Sequence, residues 1–523
     1  MSVLKNFVCA VAFGLAIGQS AHSQENSYNV DNHFTQSGPE TLLTGELQSL
    51  IDLVHEAGGG TIYFPPGKYL TGTLFLKSNV FLEFSPGATL FGSKDMDDYP
   101  HTGMKSLLYA NAQKNLGIKG KGTVNGNGDA FWRGKERPYI RPDRCILFEH
   151  CTDVSISDVH VTNSPNWNID VRFCERVWIT GVTITSEREA PNADGIDPVS
   201  SKDVFISNCY IKVGDDAICP KSRGDIPMEN LVVTNCILES DDTGIKLGTR
   251  SDSDIRNALF SNIVIRNTQY GIGMYAKDGG TFENIRFENI HIETTPYDAN
   301  KASSPSKNYP LFLDLEKREA DSELGKIKNI FFSNITIDTP NGNCLFFGQK
   351  DSKIENLNLS GIYYQLHHRQ TFEGNSKPRG VRTLRSSASN DFSDVPAHFV
   401  FAHIDGLSID DLSIHDLSKE TAHERRMIWG YDIHRVKLSD FENEMALPNK
   451  ALPQVHLKES SEIEIVSCTP SNTETPFLFL EGAETREVYV YNNNFSYLDA
   501  IFGHDELFNI NELKEYYNIE PGR

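Results

Sequence analysis

"VFISNCYI", Val204 to Ile211, alternates apolar and polar residues, breaks at Asn208, and then alternates again. The pattern recurs as VWITGVTI from Val177, LVVTNCIL from Leu231, ALFSNIVI from Ala258 and IRFENIHI from Ile285, at a constant step of 27 residues. It extends outward as VSISDVHV from Val154, IFFSNITI from Ile330, LNLSGIYY from Leu357, LSIDDLSI from Leu407, VKLSDFEN from Val436 and IEIVSCTP from Ile463. The later steps are 45, 27, 50, 29 and 27 residues, so the long intervals read as inserted loops. Each octet predicts two short strands meeting at a bend, with one face buried. Another apolar segment precedes each octet: NIDVR, GIDPVS, AICPKS, GIKLGT and GIGMYA. Three strands per turn predict an all-β fold, a parallel β-helix, and parallel crossovers are nearly always right-handed. A leucine-rich repeat would need its Leu-x-x-Leu-x-Leu frame and a propeller a period of about 40 or more; neither is present.

Open ends of such a coil expose strand edges and need covers. "TGELQSLIDLVHEAGGG" carries Leu47, Leu50, Ile51 and Val54 at helical spacing and reads as a short capping helix. "ELFNINELKEYYNI" near the C-terminus reads as a second cap. The first residues join Lys5, an apolar run from Phe7 and Ala21-His22-Ser23, the pattern of a secretory signal. The expected organisation is a signal peptide over 1–23, a cap with its helix over 24–75 and the β-helix over 76–500. Inserts fall near 295–310 and 367–396, and a tail or cap occupies 501–523.

The formal net charge is −22, which disfavours nucleic acid and anionic membrane surfaces as partners. No stretch after the signal approaches the roughly 20 apolar residues that span a bilayer. The expectation is an exported, soluble monomer, periplasmic or extracellular. Of nine cysteines, Cys9 lies in the signal and the other eight lack Cys-x-x-Cys spacing, so a zinc site is not expected.

The repeat also aligns acidic residues. With coils superposed on Asn168, Gly195, Ala217, Gly244 and Gly271, the preceding residues are Trp167, Asp194, Asp216, Thr243 and Tyr270. Asp194 and Asp216 therefore share a turn on adjacent coils, with Asp215 beside them. Carboxyls gathered this way suit inverting glycoside hydrolysis, in which one gives a proton to the leaving oxygen and another activates water. Mutual repulsion keeps one of them protonated. Single aspartates at bends are commonly Asx-turn residues, and a carboxylate cluster also suits calcium in a polysaccharide lyase. Lys221, Lys246 and Arg250 are candidate bases for such a lyase. Lys246 falls at the same strand position as Asp197 and Cys219, a placement that allows either a pair with Asp197 or an exposed, solvated side chain. Tyr270, Tyr275 and Trp167 are candidates to stack on sugar rings, and His367, His368 and Arg369 open the long polar segment.

Two clusters resemble glycoside hydrolase family 28, the polygalacturonases and rhamnogalacturonases. Asn192-Ala193-Asp194-Gly195-Ile196-Asp197 is similar to the family's Asn-Thr-Asp-Gly-x-Asp, and Gly214-Asp215-Asp216 to its Gly-Asp-Asp. The resemblance implies a right-handed β-helix, Asp215 as general acid, Asp194 and Asp216 as the pair holding the attacking water, and no metal or organic cofactor. Where the family has Gly-His-Gly this chain has Asp242-Thr243-Gly244, and where it has Arg-Ile-Lys this chain has Gly273-Met274-Tyr275. Glycine and tyrosine cannot make the charge-assisted bond to a uronate, which points away from plain polygalacturonate. The candidate substrate-binding residues are Asn192, Asp197, Asp242, Thr243, Lys246, Arg250 and Tyr275. The leading expectation is a glycosidase acting on a pectin-like or algal polysaccharide. A β-helical lyase and a non-catalytic carbohydrate-binding β-helix are the alternatives. Inserts after Thr294 and His367 would wall one end of the groove and favour exo action.

Overall fold

The computed structural model describes residues 26–34, 38, 40–100, 103–295, 308–367, 392, 394–419 and 424–520. Over them the chain winds as a right-handed parallel β-helix. Val177, Val204, Leu231, Ala258 and Ile285, the first residues of five octets, are direct partners on successive coils. The octet from Val204 bends at Asn208, between strands Lys202–Ser207 and Tyr210–Val213. In later coils the same pattern runs through the bend as one strand, as in Ile255–Thr268. Alternation decides the facing: Val204, Ile206 and Ile211 are fully buried, while Phe205 between them is 38% exposed. Each such aliphatic side chain contributes roughly 1.5–3 kcal/mol by leaving water.

The bends explain the asparagines. Asn208, Asn235, Asn262, Asn289 and Asn334 hold φ between 53° and 56°, left-handed backbone that asparagine tolerates better than most residues. Their side chains form a ladder, each amide nitrogen donating to the carboxamide oxygen one coil earlier at 3.2–3.4 Å. A second ladder runs through Asp203, Asn230, Asn257, Asn284, Asn329 and Asn356 at the other end of the same strand. The amide pairs satisfy polar groups that a tight corner would otherwise leave unbonded.

The helix Thr44–Glu56 forms where its spacing predicts, burying Leu47, Leu50, Ile51 and Val54. The parallel ladder begins in the same region: Ser27–Asn29 pairs with Gly60–Phe64, which pairs with Val80–Phe84. The C-terminal segment, read as a second cap, contributes a strand and no α-helix among the described residues. A 3₁₀ turn, Ile510–Glu512, leads into the strand Leu513–Tyr516, which pairs with Arg486–Tyr491. Leu507 and Ile510 stay 66% and 51% exposed, so no apolar stripe exists for a helix to bury, and pairing satisfies the open edge instead. The eight cysteines after Cys9 are buried free thiols. No helix among the described residues is long and apolar enough to cross a membrane. The secretory-signal pattern, His368, Arg369 and most of the two long inserts lie outside the described residues.

Candidate active site

The strand preceding each octet builds the site. Its alternate residues Ile169, Ile196, Ile218, Ile245 and Ile272 enter the central core, so their neighbours face outward. Asn168 N–H donates to Asp194 O, Gly195 N–H to Asp216 O, and Ala217 N–H to Thr243 O, each at 2.9 Å. Thr243 then pairs with Tyr270. Trp167, Asp194, Asp216, Thr243 and Tyr270 therefore stack in one column, the register that the repeat predicts. Two glycines permit this crowding. A Cβ on Gly195 would lie 2.3 Å from Ala217 O, and one on Gly214 would lie 2.7–2.9 Å from three carbonyl oxygens of the 187–190 segment.

Beside the column lies a cavity of about 300 Å³. Asp194, Asp215 and Asp216 share its wall with Asn192 and Trp167. Facing them are Arg144, Arg172, Lys221, Arg223, Lys246, Arg250 and Arg318, of which Arg144 and Arg172 pair with the buried Asp170. Carboxylate oxygens of Asp194 and Asp216 approach within 4.8 Å, as do those of Asp215, Asp216 and Asp242. Trp167 is gripped by cations: Arg144 Cζ lies 3.6 Å and Lys221 Nζ 4.2 Å from its ring centre. Such contacts strengthen when desolvated.

The lysines divide the acids differently from a Lys246–Asp197 pair. Lys246 Nζ donates to Asp216 Oδ2 at 2.7 Å, and Lys221 donates to Asp197 while lying 3.5 Å from Asp194 Oδ2. Coil counting supplies the reason. Cys219 intervenes between Asp197 and Lys246, which stand two coil spacings apart, roughly 10 Å; Lys221 and Asp216 are each one coil nearer to their partners. Asp216 Oδ2 also receives the Cys219 thiol at 3.6 Å. Asp216 Oδ1 is buried with no hydrogen-bond partner among the described residues.

Burial, then the charges of Asp194, Asp216 and Asp242, hold the Asp215 carboxyl well above the usual carboxylate range. Burial and Asp197 likewise raise Asp194, against the pull of Lys221. Burial pushes Asp197 up to about 6, with Lys221 opposing. Burial works against the charge on Lys221 and Lys246, but the surrounding acidic groups, led by Asp197 and Asp216 respectively, together outweigh it, and both ammonium groups are held well above their ordinary value. A lyase base must be an unprotonated amine at working pH, so neither lysine is suited to that role. Among the described residues, the acidic groups within reach of a single cation are Asp215, Asp216 and Asp242, or Asp194, Asp216 and Cys219. Lys246 already supplies a positive charge to the residue common to both sets.

The other candidates separate clearly. Asn192 holds φ 53°, accepts from Arg141 Nη2 at 3.0 Å and reaches Asp215 Oδ2 at 3.5 Å. Thr243 is buried and its hydroxyl donates to Asp242 at 3.2 Å. Arg250 lines the cavity while pairing with Asp252 at 2.8 Å. Tyr275 and Tyr270 do not present rings to a sugar. They are 1% and 0% exposed and belong to an outward apolar cluster with Tyr309 and Phe312. His367 bonds Asp338 at 2.7 Å and does not line the cavity. Sequence reasoning missed Arg144, Arg172, Arg223 and Arg318. Arg144 was within reach, since it pairs with Trp167 one coil earlier. Arg318 follows the insert after Thr294 and has no readable register.

The profile described as Glycosyl hydrolases family 28 matches residues 60–377. A protein of Vitis vinifera named "Probable polygalacturonase" is 31% identical over 208 residues, 36% of this chain and 42% of that protein's length. The exopolygalacturonase from Thermotoga maritima superposes with TM-score 0.56 at 21% identity, covering 65% of this chain and 87% of that one. The Yersinia enterocolitica family 28 exopolygalacturonase superposes with TM-score 0.57 at 17% identity, covering 79% and 78%. The structural likenesses speak to the fold alone.

Proposed function

The chain belongs to glycosyl hydrolases family 28, and from that premise we propose that it hydrolyses an O-glycosidic bond in an acidic, pectin-like or algal saccharide. The carrying observation is three carboxyls from adjacent coils on one cavity wall, with Asp215 and Asp194 pushed up and Asp216 tied to Lys246. Asp215, protonated, gives its proton to the leaving glycosidic oxygen. Water held by Asp216 and Asp194 attacks the anomeric carbon from the other side and loses its proton to that pair, so the carbon–oxygen bond breaks with inversion.

Seven cations line the cavity, and Arg223 is exposed there. Bidentate guanidinium bonds suit a carboxylate or sulfate, so an acidic sugar is the ligand this lining favours. With Gly273 and Tyr275 where the family carries arginine and lysine, the acidic group is met from different positions. The substrate is accordingly a variant of the pectin theme rather than unbranched polygalacturonate.

The test is a panel of polygalacturonate, rhamnogalacturonan and sulfated galactan, with proton NMR of the first anomer released. Cleavage with inverted configuration, abolished in Asp215→Asn, is expected. Retained configuration would refute the proposed roles, and cleavage unaffected by Asp215→Asn would remove the acid assignment.

A further inference from the structure

On an open β-helix groove, the outward residues flanking the catalytic coil would be wet, because a polymer must lie across them. Here they are dry toward the C-terminus, and toward the N-terminus they are dry beyond Trp167, which is itself half-buried. Toward the C-terminus, the column of Asp194, Asp216 and Thr243 continues into Tyr270 and Tyr309. The column of Lys246 continues through Gly273 into Phe312 and Leu345. These four side chains are fully buried, although their alternating neighbours Ile272, Leu311 and Leu313 are the ones that enter the central core. The rings pack on one another, Tyr270 with Tyr309 at 5.5 Å and Tyr275 with Phe312 at 5.2 Å between centroids.

Toward the N-terminus the closure is polar at first and then apolar. Arg144 covers Trp167, and the outward column from Asp170 continues into Leu147 and Tyr109, 0% and 6% exposed. On one side stands Arg141, whose guanidinium donates to the carbonyls of Pro165 and Pro191 and to Asn192 Oδ1, tying the segment that carries Asn192 in place. The other side carries Arg318, bonded to Asp278 at 2.6 Å. What remains is a pocket of about 300 Å³, at the small end of the ~300–1,000 Å³ range for ligand sites.

We propose that this site binds one end of a saccharide chain and not its interior. The terminal unit fills the pocket, the scissile bond lies at its mouth, and each hydrolysis releases a small product from that end while the rest of the chain stays in solvent. The inference rests on the hydrolase reading for its chemistry and on the dry flanking coils for its geometry. Repulsion and burial within the pocket concern the acids only; chain-end selection is a matter of walls.

The experiment follows product size during the first few per cent of hydrolysis of whichever of rhamnogalacturonan and sulfated galactan the full-length protein cleaves, alongside viscosity. A single small product with nearly constant viscosity is expected. A mixture of oligomers with a steep fall in viscosity overturns chain-end action and leaves the hydrolase reading standing. A parallel titration of Asp215→Asn with oligogalacturonides and rhamnogalacturonan oligomers of two to eight sugars reads the walls without turnover. Affinity should level off by about three sugars, and a rise continuing to eight overturns the proposal. Length-independent binding without cleavage of any polymer would retain the closed pocket and overturn the hydrolase reading. Absence of both binding and cleavage would overturn both.

Discussion

At the scale of single residues, the cluster keeps acids where folding alone would not place them. Asp215 is held above the ordinary carboxylate range chiefly by burial, so the folded chain retains its proton over a pH interval in which the unfolded chain has lost it. The interval starts near the unperturbed value of about 4 and ends at the raised folded value. Across it, stability falls as pH rises, because the native state binds more protons than the unfolded one. Asp215→Asn should therefore melt at a higher temperature than the wild type at pH 7 and converge with it below about pH 4, while losing hydrolysis. Calorimetry over that range checks the sign. A variant no more stable at pH 7 than at pH 4, relative to wild type, would contradict the burial argument.

Lys246 is the residue whose role the family pattern does not foretell. It donates to Asp216 Oδ2 and so fixes that carboxylate in its ionised form, and its charge also lowers Asp215 and Asp194 against their burial. Lys246→Met removes a cation facing Asp194, Asp215, Asp216, Asp242 and the Cys219 thiol. The pH–rate profile should move to higher pH, with kcat down by about a hundredfold, the scale of a misplaced catalytic group. KM should change little, and Lys246→Arg should bring the profile back. The buried carboxylate left unpaired by methionine also costs about 3–5 kcal/mol of stability. A profile that stays in place while KM rises would make Lys246 a substrate-binding residue instead.

At the scale of elements, the corners carry specificity that the strands lack. Asn262 sits inside a ladder, receiving from Asn289 and donating to Asn235, with φ 55°. Asn262→Ala removes two amide bonds and puts in left-handed backbone a residue without asparagine's tolerance of it; these add to roughly 2–4 kcal/mol. Asn262→Gly loses the bonds without the strain and should be the less damaging of the two. Urea unfolding of both distinguishes ladder bonding from backbone conformation; equal losses would make strain negligible. The column register and the meeting of Asp194 with Asp216 were legible because the repeat turns sequence offset into position, and the N-terminal helix because Leu47, Leu50, Ile51 and Val54 keep helical spacing. Side-chain choice between two carboxylates was not legible from period alone: strand position allowed a Lys246 pair with Asp197, and Lys246 went to Asp216. Tyr275 misled for a different reason. Alternation correctly faces it outward, but what buries an outward face is supplied by distant segments, to which a local pattern is blind.

At the scale of the whole molecule, two fields of opposite sign meet at the site. The chain carries −22 overall, yet the cavity is lined by seven arginine and lysine side chains. A long polyanion feels the net charge first, across distances comparable with the Debye length of about 10 Å at 0.1 M salt, and the local cations only after docking. Added salt should thus screen the approach more than it weakens partly buried contacts. For an anionic polymer, kcat/KM should rise severalfold between about 10 and 150 mM salt through a faster encounter. A disaccharide bearing one charge should show a flat or falling response, because it lacks the long-range repulsion and depends on the pocket alone. Measuring both at constant pH separates the two fields. If the polymer's rate falls with salt as steeply as the disaccharide's, the pocket's cations dominate the approach as well, and the acidic exterior has no part in selecting short chains over long ones.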